Sequence, residues 1–129
     1  MLDPITAYLH RSAGQHGPVM LMYHAVERGS HVPAWPWAVS LSRFTAQLDF
    51  LRDHGWRTCT MRELAAQPDA WRERTVVITF DDGYVDNLAA VEALRQRGMC
   101  ASWFIVSGVI GKPPGWPDSG ATSRALAQR

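Results

Sequence analysis

The sequence has few of the features that mark disulfide-rich or nucleic-acid-binding proteins. Only two of its 129 residues are cysteines, Cys59 and Cys100, and neither lies in a metal-like or redox-like spacing. They cannot form a disulfide framework, and they leave the cellular compartment open. The 13 basic and 12 acidic residues form no long run of one sign, which argues against a nucleic-acid or anionic-membrane surface built on charge alone.

Long apolar stretches are also missing. No segment approaches the roughly 20 apolar residues that a membrane-spanning helix needs. The first four residues, Met1 to Pro4, lack the basic, apolar and small-residue order of a secretory signal. We therefore expect a soluble chain without an export signal, and its localisation stays open.

Apolar runs alternate with helical patterns along the chain. The runs 19–23, 75–80 and 101–106 read as strands, with a short β-prone piece at 56–60. Helical patterns lie between them, and this alternation is typical of a parallel α/β architecture. A complete barrel of this kind usually takes roughly 200 residues or more. We therefore expect the N-terminal half of a parallel (β/α) barrel, incomplete at 129 residues.

Three helices are predicted from spacing and capping residues. The first begins at Ser42 and ends at Gly55, after Asp53-His54, with Phe44, Leu48 and Leu51 on one face. The second covers 61–66 and begins with a capping box formed by Thr60 and Glu63. The third is capped by Asp86, runs through Leu88, Val91 and Leu94 and stops at Gly98. A loop rich in glycine and proline follows at 108–120, and the last nine residues could start another helix.

The clearest candidate site is Asp81-Asp82-Gly83, which follows the most β-branched run. Ligand and catalytic groups of parallel α/β folds gather at the carboxyl ends of the strands. One carboxylate there could hold a cation while the other acts as a base, and Gly83 would allow a sharp turn. The alternative is an ordinary turn built from residues that turns favour.

These residues and their neighbours resemble the polysaccharide deacetylases, a family of metal-dependent carbohydrate esterases, and in particular the branch that acts on biofilm polysaccharides. The resemblance covers residues 18–111 and rests on Val19 to His24, Phe44…Leu48…Leu51…Gly55-Trp56, Thr79-Phe80-Asp81-Asp82-Gly83-Tyr84 and Gly98…Ala101-Ser102-Trp103-Phe104. It implies a distorted barrel, with a truncated deacetylase domain at 18–129 after a lead-in at 1–17.

The resemblance also implies a chemistry. Asp81 would be the general base and Asp82 a ligand of zinc or another divalent metal, which lowers the pKa of bound water and stabilises the developing oxyanion. The reaction would hydrolyse the amide carbon–nitrogen bond of N-acetyl groups on an amino-sugar polymer. His24 would lie by the active site in a catalytic role, or be a hydrogen-bonded histidine at a strand end. The family often acts outside the cytoplasm.

The family's second metal-ligand motif, His-Ser/Thr-x-x-His, is not found, since no histidine follows His54. Zinc sites of this kind ordinarily need three protein ligands. Three interpretations stay open: an inactive or incomplete deacetylase, a non-catalytic remnant that binds sugar or a partner chain, and an oligomer that completes the site between subunits. An uncovered sheet edge also predicts self-association.

The remaining histidines and the tryptophans divide by their surroundings. His10, His16, His31 and His54 lack paired metal spacing and are expected to be ordinary surface or loop residues. Trp56 and Trp103 adjoin apolar strands and are expected in the core, as are the two cysteines. Trp35 and Trp37 lie on a proline-rich loop, where an aromatic face could line a substrate groove for sugar rings.

Overall fold

Parallel strands and the helices between them form the frame of the protein. A computed structural model describes residues 17–70, 74–113 and 115. Its strands are β1 (Val19–Tyr23), β2 (Ala25–Glu27), β3 (Ala38–Ser40), β4 (Arg57–Thr58), β5 (Thr75–Asp82) and β6 (Ser102–Ile105). Its helices are α1 (Leu41–Asp53), α2 (Met61–Ala66) and α3 (Leu88–Gln96), with short 3₁₀ turns at Pro68–Ala70, Val85–Asn87 and Ser107–Val109. Among the helices of these residues, none combines the length and hydropathy of a membrane span.

Strand β5 is the centre of the main sheet. It pairs with β1 along one edge, in a register that runs from Val19 opposite Val76 to Tyr23 opposite Phe80. Its other edge is shared by β4 at the start and by β6 at the end. Every pairing is parallel, which confirms the mixed α/β class, and the sheet formed by the described part of the chain is open rather than closed.

Helices cover one face of this sheet, whereas several apolar side chains on the other face are exposed. Helices α1 and α3 pack on one face and form the core with Leu21, Tyr23, Phe44, Leu48, Leu51, Trp56, Val76, Ile78, Phe80, Ala90, Ala93 and Leu94. On the opposite face Met20 is 56% exposed and Met22 57% exposed, and Phe104 of β6 is 52% exposed. The apolar runs therefore supply side chains to two faces, of which the described helices cover only one.

Helices α1 and α2 confirm the predicted spacing and caps. The side chains of Phe44, Leu48 and Leu51 are buried against the sheet. Helix α1 begins one residue earlier than predicted, because Ser40 is its N-cap and accepts a hydrogen bond from the backbone of Arg43 at 3.4 Å. The capping box of Thr60 and Glu63 is present at the start of α2.

The predicted cap of α3 was wrong. Asp86 lies inside the 3₁₀ turn, so α3 begins only at Leu88 and has no side-chain cap. Leu88 is 59% and Val91 43% exposed, whereas Ala90, Ala93 and Leu94 are buried. The turn shifts the helix start, and the face that meets the sheet is built mostly from small alanines.

Two short elements were not predicted. Strands β2 and β3 have three residues each and form a separate parallel pair. Three residues are too few for a periodic pattern to identify a strand.

Other expectations fall in part on residues that the structure does not describe. Residues 1–16 of the lead-in, which include His10 and His16, residues 114 and 116–120 of the C-terminal loop, and the last nine residues lie outside the described part. Within it, Trp56 and Cys59 are buried as expected, while Cys100 is half-buried. Trp103 is also half-buried and packs against the core, stacked on Phe80 with ring centroids 4.9 Å apart.

A two-pronged ion pair ties the end of α3 to α1. Arg97 donates from Nε and Nη2 to the two carboxylate oxygens of Asp49 at 2.9 and 3.0 Å. The hydrogen bond from Arg97 holds the pKa of Asp49 below its ordinary value. The arginine side chain is only 15% exposed, but the aspartate is 37% exposed, so solvent screens the pair and reduces its contribution.

We expect Arg97→Met to lower the free energy of unfolding by about 0.5–1 kcal/mol near neutral pH. The folded-state pKa of Asp49 is depressed, so the pair stabilises the fold above the ordinary pKa of aspartate and is lost as pH falls through the lowered value. Urea unfolding at several pH values measures this, and the difference from the unmutated chain should shrink in acid. Arg95→Met is the control, because its pair with Glu92 is solvent-exposed.

Candidate active site

A strained turn places two carboxylates at the carboxyl end of β5. Asp82 has a positive φ of 68°, and Gly83 follows with a φ of 80°. The backbone N–H of Gly83 donates to the carbonyl of Asp81 at 2.8 Å, which closes a three-residue turn around Asp82. Left-handed φ at a non-glycine residue costs about 1–2 kcal/mol, and such strain clusters at functional sites.

The two carboxylates lie in an open groove of ≈ 750 Å³ on the uncovered face of the sheet. Both Asp81 and Asp82 are half-buried. The walls of the groove are mainly apolar and include Met20, Met22, Met61, Phe104 and Ile105. The arrangement offers two acidic groups beside an apolar surface, which is a setting for orienting a ligand and exchanging a proton with it.

His24 lies at the same edge of the sheet. It follows Tyr23, whose register partner Phe80 precedes Asp81. The sheet therefore places the backbones of His24 and Asp81 at the same end of neighbouring strands, as the sequence predicted. The histidine side chain is half-buried.

Asn87 holds the segment around His24, and sequence reasoning missed this residue. Its side-chain amide donates to the carbonyl of His24 at 2.9 Å and accepts from the backbone N–H of Val26 at 3.2 Å. Asn87 is only 2% exposed. The turn after β5 is thereby bonded to the segment after β1, an assignment for which the sequence offers no signal beyond one polar residue at the start of a helix.

Aromatic rings surround His24. Its ring centroid lies 5.5 Å from that of Trp37 and 6.3 Å from that of Trp35. Trp35 in turn packs edge-on against Tyr84, the residue after Gly83, with centroids 5.6 Å apart. The structure thus places the two loop tryptophans against His24, and Tyr84 against Trp35; the sequence had suggested no role for Tyr84 on its own.

The other described histidines have local partners. His31 Nε2 lies 3.1 Å from a carboxylate oxygen of Glu27. His54 Nδ1 lies 2.8 Å from the carbonyl of Phe50, and its ring stacks on the phenyl ring of that residue. Neither lies in a metal-like cluster within the described residues.

The donor set at the site does not fit a catalytic metal by itself. Residues 17–70, 74–113 and 115 contain no group of three or more histidine, cysteine, aspartate or glutamate side chains that could hold a metal ion. A catalytic zinc usually takes three protein ligands and a water. Further ligands would have to come from outside these residues.

The sequence and the fold both match known proteins. YxkH of Bacillus subtilis (strain 168), a protein assigned to the polysaccharide deacetylases, is 35% identical over an alignment of 113 residues, and the match covers 84% of this chain and 38% of YxkH. The chain is related to the polysaccharide deacetylases. IcaB from Ammonifex degensii superposes on 88% of the chain with a TM-score of 0.70 and 28% identity. No protein-family model matches the sequence.

The same fold occurs in BC0361, a polysaccharide deacetylase from Bacillus cereus, with a TM-score of 0.65 over 88% of this chain and 21% identity. The chain spans less than half of these relatives, namely 38% of YxkH, 45% of IcaB and 34% of BC0361. The resemblance inferred from the Asp81-Asp82 signature is therefore confirmed for a chain that matches only part of the deacetylase fold.

Gly83 is expected to be sensitive to substitution, and Gly98 offers a matched control. Both have positive φ, so an alanine at either costs roughly 1–2 kcal/mol of stability. A Cβ at Gly83 would also lie 3.1 Å from two carbons of Ile105, whereas nothing lies within 4 Å at Gly98. We expect Gly83→Ala to cost about 1 kcal/mol more than Gly98→Ala in chemical unfolding. Equal losses of stability in the two variants would show that the Ile105 side chain can move aside at no cost in free energy.

Proposed function

We propose that the chain carries the acid–base residues of a hydrolase that removes acetyl groups from an N-acetylated amino-sugar polymer. The observation that carries this proposal is the strained Asp81-Asp82-Gly83 turn at the carboxyl end of β5, in a chain related to the polysaccharide deacetylases. The apolar groove beside the two carboxylates supports it, since a ligand there can be oriented against both.

In this proposal Asp81 is the general base. It accepts a proton as a water oxygen attacks the acetyl carbonyl carbon, the carbon–nitrogen bond breaks, and the proton goes to the departing nitrogen. The products are acetate and a free amine on the sugar. Asp82 is one ligand of zinc or another divalent ion, whose other ligands lie outside the described residues. His24, at the same sheet edge, is the second catalytic candidate.

The fold proposed for this activity is the N-terminal half of a distorted parallel (β/α) barrel. Three observations support it: the strands are parallel, the uncovered face bears the carboxylates, and the chain covers 45% of IcaB. In a barrel the uncovered face of β1, β5 and β6 would line the interior. Residues 18–129 then form the partial domain and 1–17 its lead-in.

A second candidate function is non-catalytic binding of a sugar or a partner chain. It is favoured by the donor set, because the described residues bring together fewer than three possible metal ligands. This candidate keeps the groove and the aromatic residues but needs no proton transfer at Asp81.

Acetate release separates the two candidates. Residues 1–129 and a chimera, in which they replace the matched region of YxkH, are assayed on N-acetylglucosamine oligomers with added zinc or cobalt. We expect the chain alone to release no acetate and the chimera to release it. Asp81→Asn in the chimera should reduce the rate by about 100-fold or more, because a general base contributes 10²–10⁴-fold.

The exposed carboxylate of Asp53 provides a matched control, and Asp53→Asn should leave the rate of the chimera unchanged. A folded chimera in which Asp81→Asn is as active as the parent would rule out Asp81 as the base. Acetate release by residues 1–129 alone, lost in Asp81→Asn, would show that the chain already holds a complete site.

The uncovered sheet face also supports a proposal of self-association. Met20, Met22 and Phe104 are each more than half exposed on it. A second copy of the chain could bury this apolar surface, which otherwise stays in contact with water.

We expect the unmutated chain to sediment as a dimer or a larger species and Phe104→Lys to shift it towards monomer, since a charge in an apolar interface is costly. Val91→Lys is the control, because Val91 is 43% exposed on α3, outside the face proposed to associate. Analytical ultracentrifugation measures the distribution. A monodisperse, cooperatively melting monomer of the unmutated chain would contradict the proposal.

A further inference from the structure

Four rings form a continuous aromatic wall beside the carboxylates. The wall consists of Trp37, His24, Trp35 and Tyr84, in that order of contact, with successive ring centroids 5.5, 6.3 and 5.6 Å apart. The rings become more exposed from Tyr84, which is 1% exposed, to Trp37, which is 55% exposed. One end of the wall is therefore anchored in the protein, and the other presents a large aromatic surface to solvent.

The backbone that carries the wall is fixed on both sides. The carbonyl of Trp37 accepts the N–H of Ala25 at 3.4 Å, and the carbonyl of Trp35 accepts the N–H of Ala38 at 3.0 Å. The side-chain amide of Asn87 donates a hydrogen bond to the carbonyl of His24. The exposed ring of Trp37 thus stands on a hydrogen-bonded backbone, so little conformational entropy is lost when a ligand packs on it.

The buried end of the wall lies next to the candidate active site in the chain. Tyr84 directly follows the Asp81-Asp82-Gly83 turn, and His24 follows the residue that pairs with Phe80. Trp35 also lines a groove of ≈ 350 Å³ with the polar residues Ser30, Ser42 and Arg43. Aromatic faces with polar groups at their rim suit a ligand that has both C–H faces and hydroxyls.

We propose that this wall is a binding subsite for one pyranose ring of the amino-sugar polymer. The ring packs its C–H face on the indole of Trp37, and the imidazole of His24 faces its hydroxyl rim. The inference rests on the proposed function, because that function supplies the sugar. It adds that His24 contacts a neighbouring sugar ring, and that Trp37 is the main source of binding.

Binding is tested without catalysis. Tetra-N-acetylchitotetraose is titrated into the metal-free chain and followed by isothermal titration calorimetry. We expect measurable binding, a loss of about tenfold in affinity for Trp37→Ala and near-parent affinity for Trp37→Phe, which keeps an aromatic face. Leu88→Ala is the control: Leu88 is similarly exposed, at 59%, and lies outside the wall. Circular dichroism checks that each variant is folded.

Three outcomes would overturn the proposal: no binding to the folded chain, equal affinity of Trp37→Ala and the parent, or equal losses in Trp37→Ala and Leu88→Ala. If Trp37→Ala instead disrupts self-association and leaves sugar affinity intact, the wall is covered by a second chain and the subsite is rejected. Asp81→Asn should bind like the parent, so a failure of the deacetylase proposal is distinguishable from a failure of the subsite.

Discussion

The parallel pairing of β5 with β1 and β6 is the constraint on which the candidate site depends. Its register sets Tyr23 beside Phe80 and Asp81 beside Phe104. Since parallel strands end at one edge, the pairing alone gathers a histidine and two carboxylates that lie 57 or 58 positions apart in the sequence. A slip of one residue would move the whole apolar set of a strand to the other face and separate these groups.

The strain at Asp82 is sustained by what surrounds it. The following 3₁₀ turn is anchored by Asn87, whose amide bonds to the backbone on both sides of Ala25. Buried Tyr84 packs against Trp35 immediately after the turn. These contacts fix the backbone on the C-terminal side of Asp82. The positive φ of Asp82, which is unfavourable on its own, can therefore persist. The same contacts also hold the aromatic wall in place. A substitution that disrupts them is therefore expected to affect both the turn and the wall.

The sequence predicted those elements whose signal is local. The run 75–80 at the start of β5 is β-branched almost throughout, α1 has a regular apolar spacing, and the Thr60–Glu63 box lies within four residues. The cap of α3 was predicted wrongly, because Asp86 lies inside a 3₁₀ turn that precedes the helix, and no separate signal in the sequence marks that turn. Asn87 was missed for a related reason. Its partners lie 61 and 63 residues away, and no local pattern reports a buried hydrogen bond across the fold.

The unequal faces of the sheet connect structure to function. On the covered face, α1 and α3 exclude water from a continuous core. The other face carries Asp81 among exposed methionines and Phe104, where a carboxylate stays solvated and can exchange protons. A second layer on this face would bury apolar surface and lower the local dielectric around both carboxylates. The buried core and the proposed acid–base residues therefore lie on opposite sides of one sheet, and a layer on the exposed side would change the surroundings of the carboxylates without altering the core.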